Sequence, residues 1–215
     1  MQYVIFTGGD FSTSSLSQKA IKDADVIIAA DGGANAALSL SLYPTIIIGD
    51  MDSITNATKE ILQKRNTEFI TSSSEKDETD TELAINYAIE KKATGITILG
   101  GITGDRLDHI IANILLMTRY GSIIRFITGE QTSWVTTGRA TQRIEGKEGD
   151  LLSLIPLRGD IENVTTTNLY YSLKNEKLIF GRPRGVSNVF TKNSVSVSFE
   201  SGILLFVHTT HGAEE

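Results

Sequence analysis

Short runs of isoleucine, valine and phenylalanine recur through the first 128 residues, each closed by glycine, aspartate or threonine. They are YVIF (3–6), DVIIAA (25–30), TIIIG (45–49), EFIT (68–71), GITILG (95–100) and IIRFIT (123–128). Runs this short and this continuously apolar suit strands covered on both faces, as in a parallel sheet. Stretches with helical spacing lie between them. In DTELAINYAIEKKA (80–93), Leu83 and Tyr87, and Ala84 and Ala88, fall on a shared face, and Asp80 or Thr81 is placed to cap the start. LDHIIANILLMTRYG (107–121) repeats the pattern, with Gly121 as its stop. This alternation predicts an α/β fold with a mostly parallel sheet, and the three isoleucines of TIIIG predict a central strand.

The pattern changes after about residue 130. Helical spacing fades, and Thr, Val, Gly and Ser dominate SWVTTG, DLLSLIPL, IENVTTTNLYYSL and SVSVSFESGILLFVHTT. VSVSF (195–199) alternates strictly, the mark of a half-buried antiparallel strand, and Ser201–Gly202 reads as a hairpin turn. The second half is therefore read as all-β, a small sandwich or barrel. The division is set at residues 1–130 and 131–215.

Composition narrows the class. Hydrophobic residues make up 40% and charged residues 21%, the balance of a globular chain. A net charge of −6 argues against a general nucleic-acid binder, while leaving room for small anions where a cation reverses the local field. With no cysteine, disulfides, thiolate metal sites and cysteine nucleophiles are excluded. The start, MQYVIFTGGD, does not read as a signal peptide, and no run approaches a membrane span, so the expectation is a soluble cytoplasmic protein.

Polar clusters follow the apolar runs in order: TGGD (7–10), DGGAN (31–35), GDMDS (49–53), SSSEKDETD (72–80) and GGITGDRLDH (100–109). Open α/β sheets bind ligands outside the carboxyl ends of their strands, so parallel strands would bring all five clusters to one edge. Hard oxygen donors in excess, without thiolates and with little histidine, favour Mg²⁺. Glycines at 8–9, 32–33 and 100–101 let backbone approach a ligand, and Lys76 and Arg106 add cations suited to phosphate. That equipment points to phosphoryl transfer. Each piece also has a plainer reading. An aspartate after a strand is often a cap or turn former, DGG alone is a turn, and Lys76 and Asp77 suit a solvated loop. His109 suits an ordinary polar position near a helix start. Neither G-x-x-x-x-G-K-[ST] nor G-x-G-x-x-G after the first strand is present. The residues alone reach a Mg-phosphate site on an α/β domain.

Taken together and in order, DGGAN, GDMDS, KDETDTELA and the GDRLDH-x-x-AN run, over residues 31–113, resemble the thiamine pyrophosphokinase family. GVSNVF (185–190) and the closing VSVSFESGILLFV resemble that family's second-domain motifs, while 130–180 matches loosely. The resemblance implies a Rossmann-like N-terminal domain, a C-terminal β-sandwich, and a homodimer with active sites between subunits. It also implies transfer of pyrophosphate from ATP to the hydroxyl of thiamine, giving thiamine pyrophosphate and AMP. Carried over position by position, Asp50, Asp52 and Asp80 are implied as metal ligands, and these three with Asp77 as catalytic carboxylates. Asp31, Asn35, Lys76, Thr79, Arg106, Asp108 and His109 are implied on the nucleotide side. Ser187 and Asn188 are implied at thiamine beside Asp52. Where many relatives close the fourth motif as Gly-Gly-Arg-Leu-Asp-His, this chain inserts residues, which moves the expected phosphate glycine from Gly100 and Gly101 to Gly104.

Within that reading the thiamine hydroxyl attacks the β-phosphorus, and a carboxylate such as Asp52 or Asp77 serves as base. Trp134, the single tryptophan, is assigned either to stacking on the substrate or to packing of the second domain. Two alternatives are weighed against this one. DMDS resembles the D-x-D nucleophile of haloacid-dehalogenase-type phosphatases, although two strand-and-cluster units precede it here. A nucleotide-binding regulatory module without catalysis is the other, and the intact acidic set argues against it.

Overall fold

In a computed structural model, residues 1–9, 11–73 and 75–211 are described. Asp10 of the TGGD cluster and Ser74 of the SSSEKDETD stretch lie outside the described residues. Two compact units emerge: Met1–Leu116 with Phe126–Gly129, and Met117–Arg125 with the chain from Glu130 onward.

From Gln2 to Thr128 the chain runs β1 (Gln2–Phe6), α1 (Ser15–Lys22), β2 (Val26–Ala30), α2 (Gly33–Ser39), β3 (Ile46–Gly49), α3 (Asn56–Gln63), β4 (Glu68–Thr71), α4 (Asp80–Glu90), β5 (Gly95–Leu99), α5 (Leu107–Tyr120) and β6 (Ile124–Thr128). The strand order is β6-β5-β1-β2-β3-β4, and β1 to β5 pair in parallel. All six apolar runs are strands. The TIIIG strand is not central but one position in from β4 at the edge. Its four residues are nonetheless buried, because Ile47 packs with Ala29, Ala34, Ile54 and Leu62. On a separate cluster, Val4, Phe6 and Leu99 pack with Ala37 and the half-buried Leu16, Ala20 and Ile21 of α1. Each fully buried side chain of this size contributes about 1.5–3 kcal/mol.

Helix α4 starts with Thr79 as its cap, the side chain accepting from the Glu82 N–H, so the cap precedes both residues expected in that role. Helices α1, α2 and α3 have eight, seven and eight residues, too few for a periodic signal. Caps Ser14 and Thr55 start α1 and α3. The DGG stretch read as a turn opens α2. Gly33 is required there, since a Cβ would lie 2.1 Å from the Phe6 carbonyl oxygen. Among the described residues no helix is long and apolar enough to cross a membrane.

The second unit is a sandwich of two antiparallel sheets. Its strands are β7 (Gln131–Thr137), β8 (Ala140–Glu145), β9 (Leu151–Arg158), β10 (Ile161–Thr167), β11 (Glu176–Leu178), β12 (Asn188–Val189), β13 (Ser194–Phe199) and β14 (Ile203–Thr209). In one layer the strands follow the order β12-β9-β14-β7, in the other β11-β10-β13-β8. Leu154 and Phe206 from the first meet Val164, Val197 and Phe199 from the second in a shared core. VSVSF alternates buried and half-buried as its pattern predicts. The Ser201–Gly202 turn, however, is not a hairpin. β13 pairs with β10 and β8, whereas β14 pairs with β7 and β9, so this connection carries the chain from one sheet to the other.

The sandwich also buries a charged group. Asp150 is fully buried, and its carboxylate accepts from the Lys147 N–H at 2.9 Å and the His211 N–H at 3.0 Å. His208 Nε2 lies 2.9 Å away, its ring stacked on Phe190. Burial, the largest influence, raises the carboxyl, but the two N–H donors and His208 together hold it below the usual carboxylate range.

Candidate active site

A cleft of about 470 Å³ opens where the first unit's strands end. Its walls come from all five polar clusters, as parallel strands require. After β1 stand Thr7, Gly8 and Gly9; after β2, Asp31 and Gly32; after β3, Asp50, Asp52 and Ser53. The segment after β4 supplies Lys76, Thr79, Asp80 and Thr81, and the one after β5 supplies Gly101, Thr103, Gly104, Asp105 and Arg106, with His109 and Asn113 from α5.

Carboxylate oxygens of Asp31, Asp50 and Asp52 lie within 4.8 Å of one another. The backbone builds this grouping. Asp31 extends the β2 ladder, its N–H donating to Ile48 O at 2.9 Å, and then turns at φ +40°. Met51 adopts φ +67°, and the Asp52 N–H reaches back to Asp50 Oδ1 at 3.3 Å. The Ser53 hydroxyl donates to Asp52 Oδ1 at 2.8 Å. Non-glycine residues in the left-handed region cost energy and cluster at functional sites. Met51 packs half-buried against the Ile47 cluster, which anchors the turn.

Asp31 is 7% exposed, and its buried Oδ1 has no hydrogen-bond partner. Burial, the largest influence, pushes its carboxyl above the usual range; the nearby Ser53 hydroxyl and Gly32 N–H oppose this, and the charges of Asp80 and Asp52 add to it. A buried, unpartnered carboxylate oxygen beside two further carboxylates fits a hard divalent cation. Asp31 thus joins Asp50 and Asp52 in the grouping for which the sequence named Asp80. Asp80 lines the same cleft but is engaged elsewhere, its Oδ1 accepting from Lys76 Nζ at 2.5 Å. Lys76 Nζ also donates to Ser72 Oγ at 2.6 Å, which fixes the ammonium at the wall.

In the segment after β5, Arg106 pairs with Asp108 through two hydrogen bonds, at 3.0 and 2.6 Å. The guanidinium lowers the Asp108 carboxyl to about 2. Asn113 holds the loop after β5 by donating to Gly101 O at 2.6 Å. Gly101, at φ +75°, leaves no room for a Cβ beside Thr7 Oγ1 at 2.9 Å.

Of the residues expected on the sequence, Asp31, Asp50, Asp52, Lys76, Thr79, Asp80, Gly104, Arg106 and His109 line the cleft. Asn35, Asp77 and Asp108 are not among the lining residues. The Asn35 amide staples α2 to the next loop, donating to Ser53 O at 2.8 Å and accepting from the Thr55 N–H at 3.2 Å. Asp77 is exposed. Sequence reasoning passed over Thr7, Thr103, Asp105 and Asn113, although Asn113 closes the GDRLDH-x-x-AN run.

Trp134, Ser187 and Asn188 belong to the second unit. Trp134 is half-buried and stacks on Phe206 against the sandwich core, centroids 5.2 Å apart and rings at 12°, the packing arrangement that was one of its two expected roles. Ser187 sits at φ +56°, its N–H bonded to Ser153 Oγ at 3.0 Å. Nearby, Tyr170 and Tyr171 are 69% and 67% exposed and meet edge to face at 5.0 Å. The doublet in NLYYSL was the available signal for them.

Comparison with known proteins accords with this geometry. Residues 17–127 match the thiamin pyrophosphokinase catalytic domain, and residues 141–204 match the thiamin pyrophosphokinase vitamin B1 binding domain. The chain is 30% identical over 186 residues to thiamine pyrophosphokinase of Bacillus subtilis, covering 85% of this chain and 86% of that one. A crystal structure of thiamine pyrophosphokinase from Bacillus subtilis superposes with a TM-score of 0.87 at 28% identity, covering 98% and 99% of the two chains. Thiamin pyrophosphokinase from Candida albicans shares the fold at a TM-score of 0.82 and 17% identity, over 98% and 89%. With both of its halves matched, the chain belongs to the thiamine pyrophosphokinase family.

Proposed function

We propose that this chain transfers pyrophosphate from ATP to the hydroxyl of thiamine, giving thiamine pyrophosphate and AMP. The observation that carries the reading is the grouping of Asp31, Asp50 and Asp52 in a cleft shared with Lys76, inside the stretch matched to the catalytic domain. Three carboxylates repel a triphosphate, and a divalent cation reverses that field. Oxygen donors alone favour Mg²⁺, held by Asp31, Asp50 and Asp52. Bound there, it supplies charge neutralisation at the phosphate oxygens.

The side chains do the rest. Lys76, held by Ser72 and Asp80, offers a fixed positive charge to the β and γ oxygens. Gly8, Gly9 and Gly104 let backbone approach the phosphates. Arg106 exchanges Asp108 for a phosphate, keeping its two-pronged geometry. Asp52 lines the cleft and Asp77 does not, so Asp52 is the base to which the thiamine hydroxyl gives its proton. Thiamine is an aromatic cation, and the exposed Tyr170–Tyr171 pair, within the stretch matched to the vitamin B1 binding domain, offers rings to stack on it. Ser187, which directly precedes the Asn188 bonded to the Tyr171 backbone, is the polar contact. The homodimer with sites between subunits and the cytoplasmic setting implied by the resemblance are parts of this proposal.

Both alternatives predict something different. A phosphatase would form an aspartyl phosphate on Asp50, and a regulatory module would bind ATP without consuming it. The test is incubation with ATP and Mg²⁺, with thiamine present or omitted. AMP forming only with thiamine is the expected result. ATP binding with no AMP, or a trapped aspartyl phosphate, would overturn it.

A further inference from the structure

We infer that Asn188 is a positioning residue that acts through Tyr171 and is not itself a ligand of thiamine; this rests on the reading above that thiamine meets Tyr171. Asn188 is 7% exposed, and its backbone pairs with Leu152 of β9. The neighbouring segment would otherwise continue as a strand alongside β12. Leu169 bridges to Phe190, and the Tyr170 N–H donates to Val189 O at 2.9 Å. At Tyr171 that backbone pairing stops, because residue 188 has turned its own peptide groups toward β9. The Asn188 side chain takes their place. Its Nδ2 donates to Tyr171 O at 2.8 Å, and its Oδ1 accepts from the Tyr171 N–H at 2.9 Å. The same oxygen accepts from the Val189 N–H at 3.0 Å.

An amide is required because it presents a donor and an acceptor side by side, as a peptide group does. Both lone pairs of the oxygen are used and one N–H is committed, which leaves little for a substrate. What the clamp fixes is the backbone beneath two tyrosine rings that are otherwise mostly exposed. Fixing a contact surface in advance lowers the ordering cost of binding.

The test compares Asn188→Ala, Asn188→Asp, Tyr171→Ala and the double variant Asn188→Ala/Tyr171→Ala by steady-state kinetics, with wild type measured first. Absence of thiamine-dependent AMP release in wild type overturns the functional reading, whatever Asn188 does. Given activity, Asn188→Ala is expected to raise the KM for thiamine about tenfold while the KM for ATP stays within about twofold. In the Tyr171→Ala background the same change is expected to leave the thiamine KM unaltered, because the ring it positions is gone. Asn188→Asp keeps the acceptor and loses the donor, so it falls between wild type and Asn188→Ala, and it carries the comparison if the alanine variant does not fold. Equal effects of Asn188→Ala in both backgrounds would make Asn188 a direct ligand and overturn the inference. So would an unchanged thiamine KM in both Asn188 variants.

Discussion

Lys76 Nζ stands 2.5 Å from Asp80 Oδ1 and 2.6 Å from Ser72 Oγ, so one ammonium ties the chain after β4 to the first turn of α4. The lysine is thereby oriented before any nucleotide arrives. Lys76→Ala is expected to lower kcat by roughly 10²-fold or more, the usual cost of removing one preorganised charge from a phosphoryl-transfer site. Lys76→Met, which keeps the stem, should lose as much. Retention of wild-type kcat in either variant, measured at saturating ATP, would remove Lys76 from the phosphate site.

The three-carboxylate grouping opposes stability to function. Asp31 is buried with an unpartnered oxygen, so Asp31→Asn should hold or raise the Tm of the metal-free protein. The same change should reduce the Tm increase produced by Mg²⁺. Asp50→Asn and Asp52→Asn should also reduce it. An undiminished Mg²⁺ shift in all three variants would place the cation elsewhere.

Asp150 carries the pH dependence of the second unit. Its folded pKa is depressed, so its contribution is present above the unfolded value of about 3.8 and is lost as pH falls through the folded value. Asp150→Ala leaves His208 and two backbone N–H groups without their buried partner, and about 3 kcal/mol or more should be lost at pH 7 by urea unfolding. Asp150→Asn should show a weaker fall in stability between pH 5 and pH 3 than wild type. Parallel acid profiles would contradict the assignment.

Trp134 and Tyr171 should separate cleanly. Trp134→Phe preserves stacking on Phe206 and should cost about 1–2 kcal/mol of stability with no change in the thiamine KM. Tyr171→Ala should do the reverse, raising the thiamine KM with little effect on Tm. If the Trp134 variant raised the thiamine KM, its ring would have to be counted as part of the substrate site.

Much of this was legible in the chain itself. The six strands of the first unit announce themselves because runs such as YVIF and TIIIG are buried on both faces and carry no competing period. The clusters at their ends are equally plain, since parallel pairing sends every one to the same edge. Asp31 as a partner of Asp50 and Asp52 was not legible, because its place depends on a φ of +40° that a DGG triplet does not disclose. Nor was the Lys76–Asp80 pair, which depends on where α4 begins. The Ser201–Gly202 turn misled for a related reason: local turn chemistry is the same whether the next strand joins the same sheet or the facing one. Asn188 shows the limit from the other side, since an asparagine in a motif looks like a ligand until its hydrogen bonds are traced.

The most direct test of the central claim is the product stoichiometry with ATP, Mg²⁺ and thiamine, followed by ³¹P NMR. Attack at the β-phosphorus predicts one AMP for each thiamine pyrophosphate formed, with no ADP and no thiamine monophosphate. ADP appearing in step with thiamine monophosphate would contradict the account, because the cleft would then be transferring a single phosphoryl group.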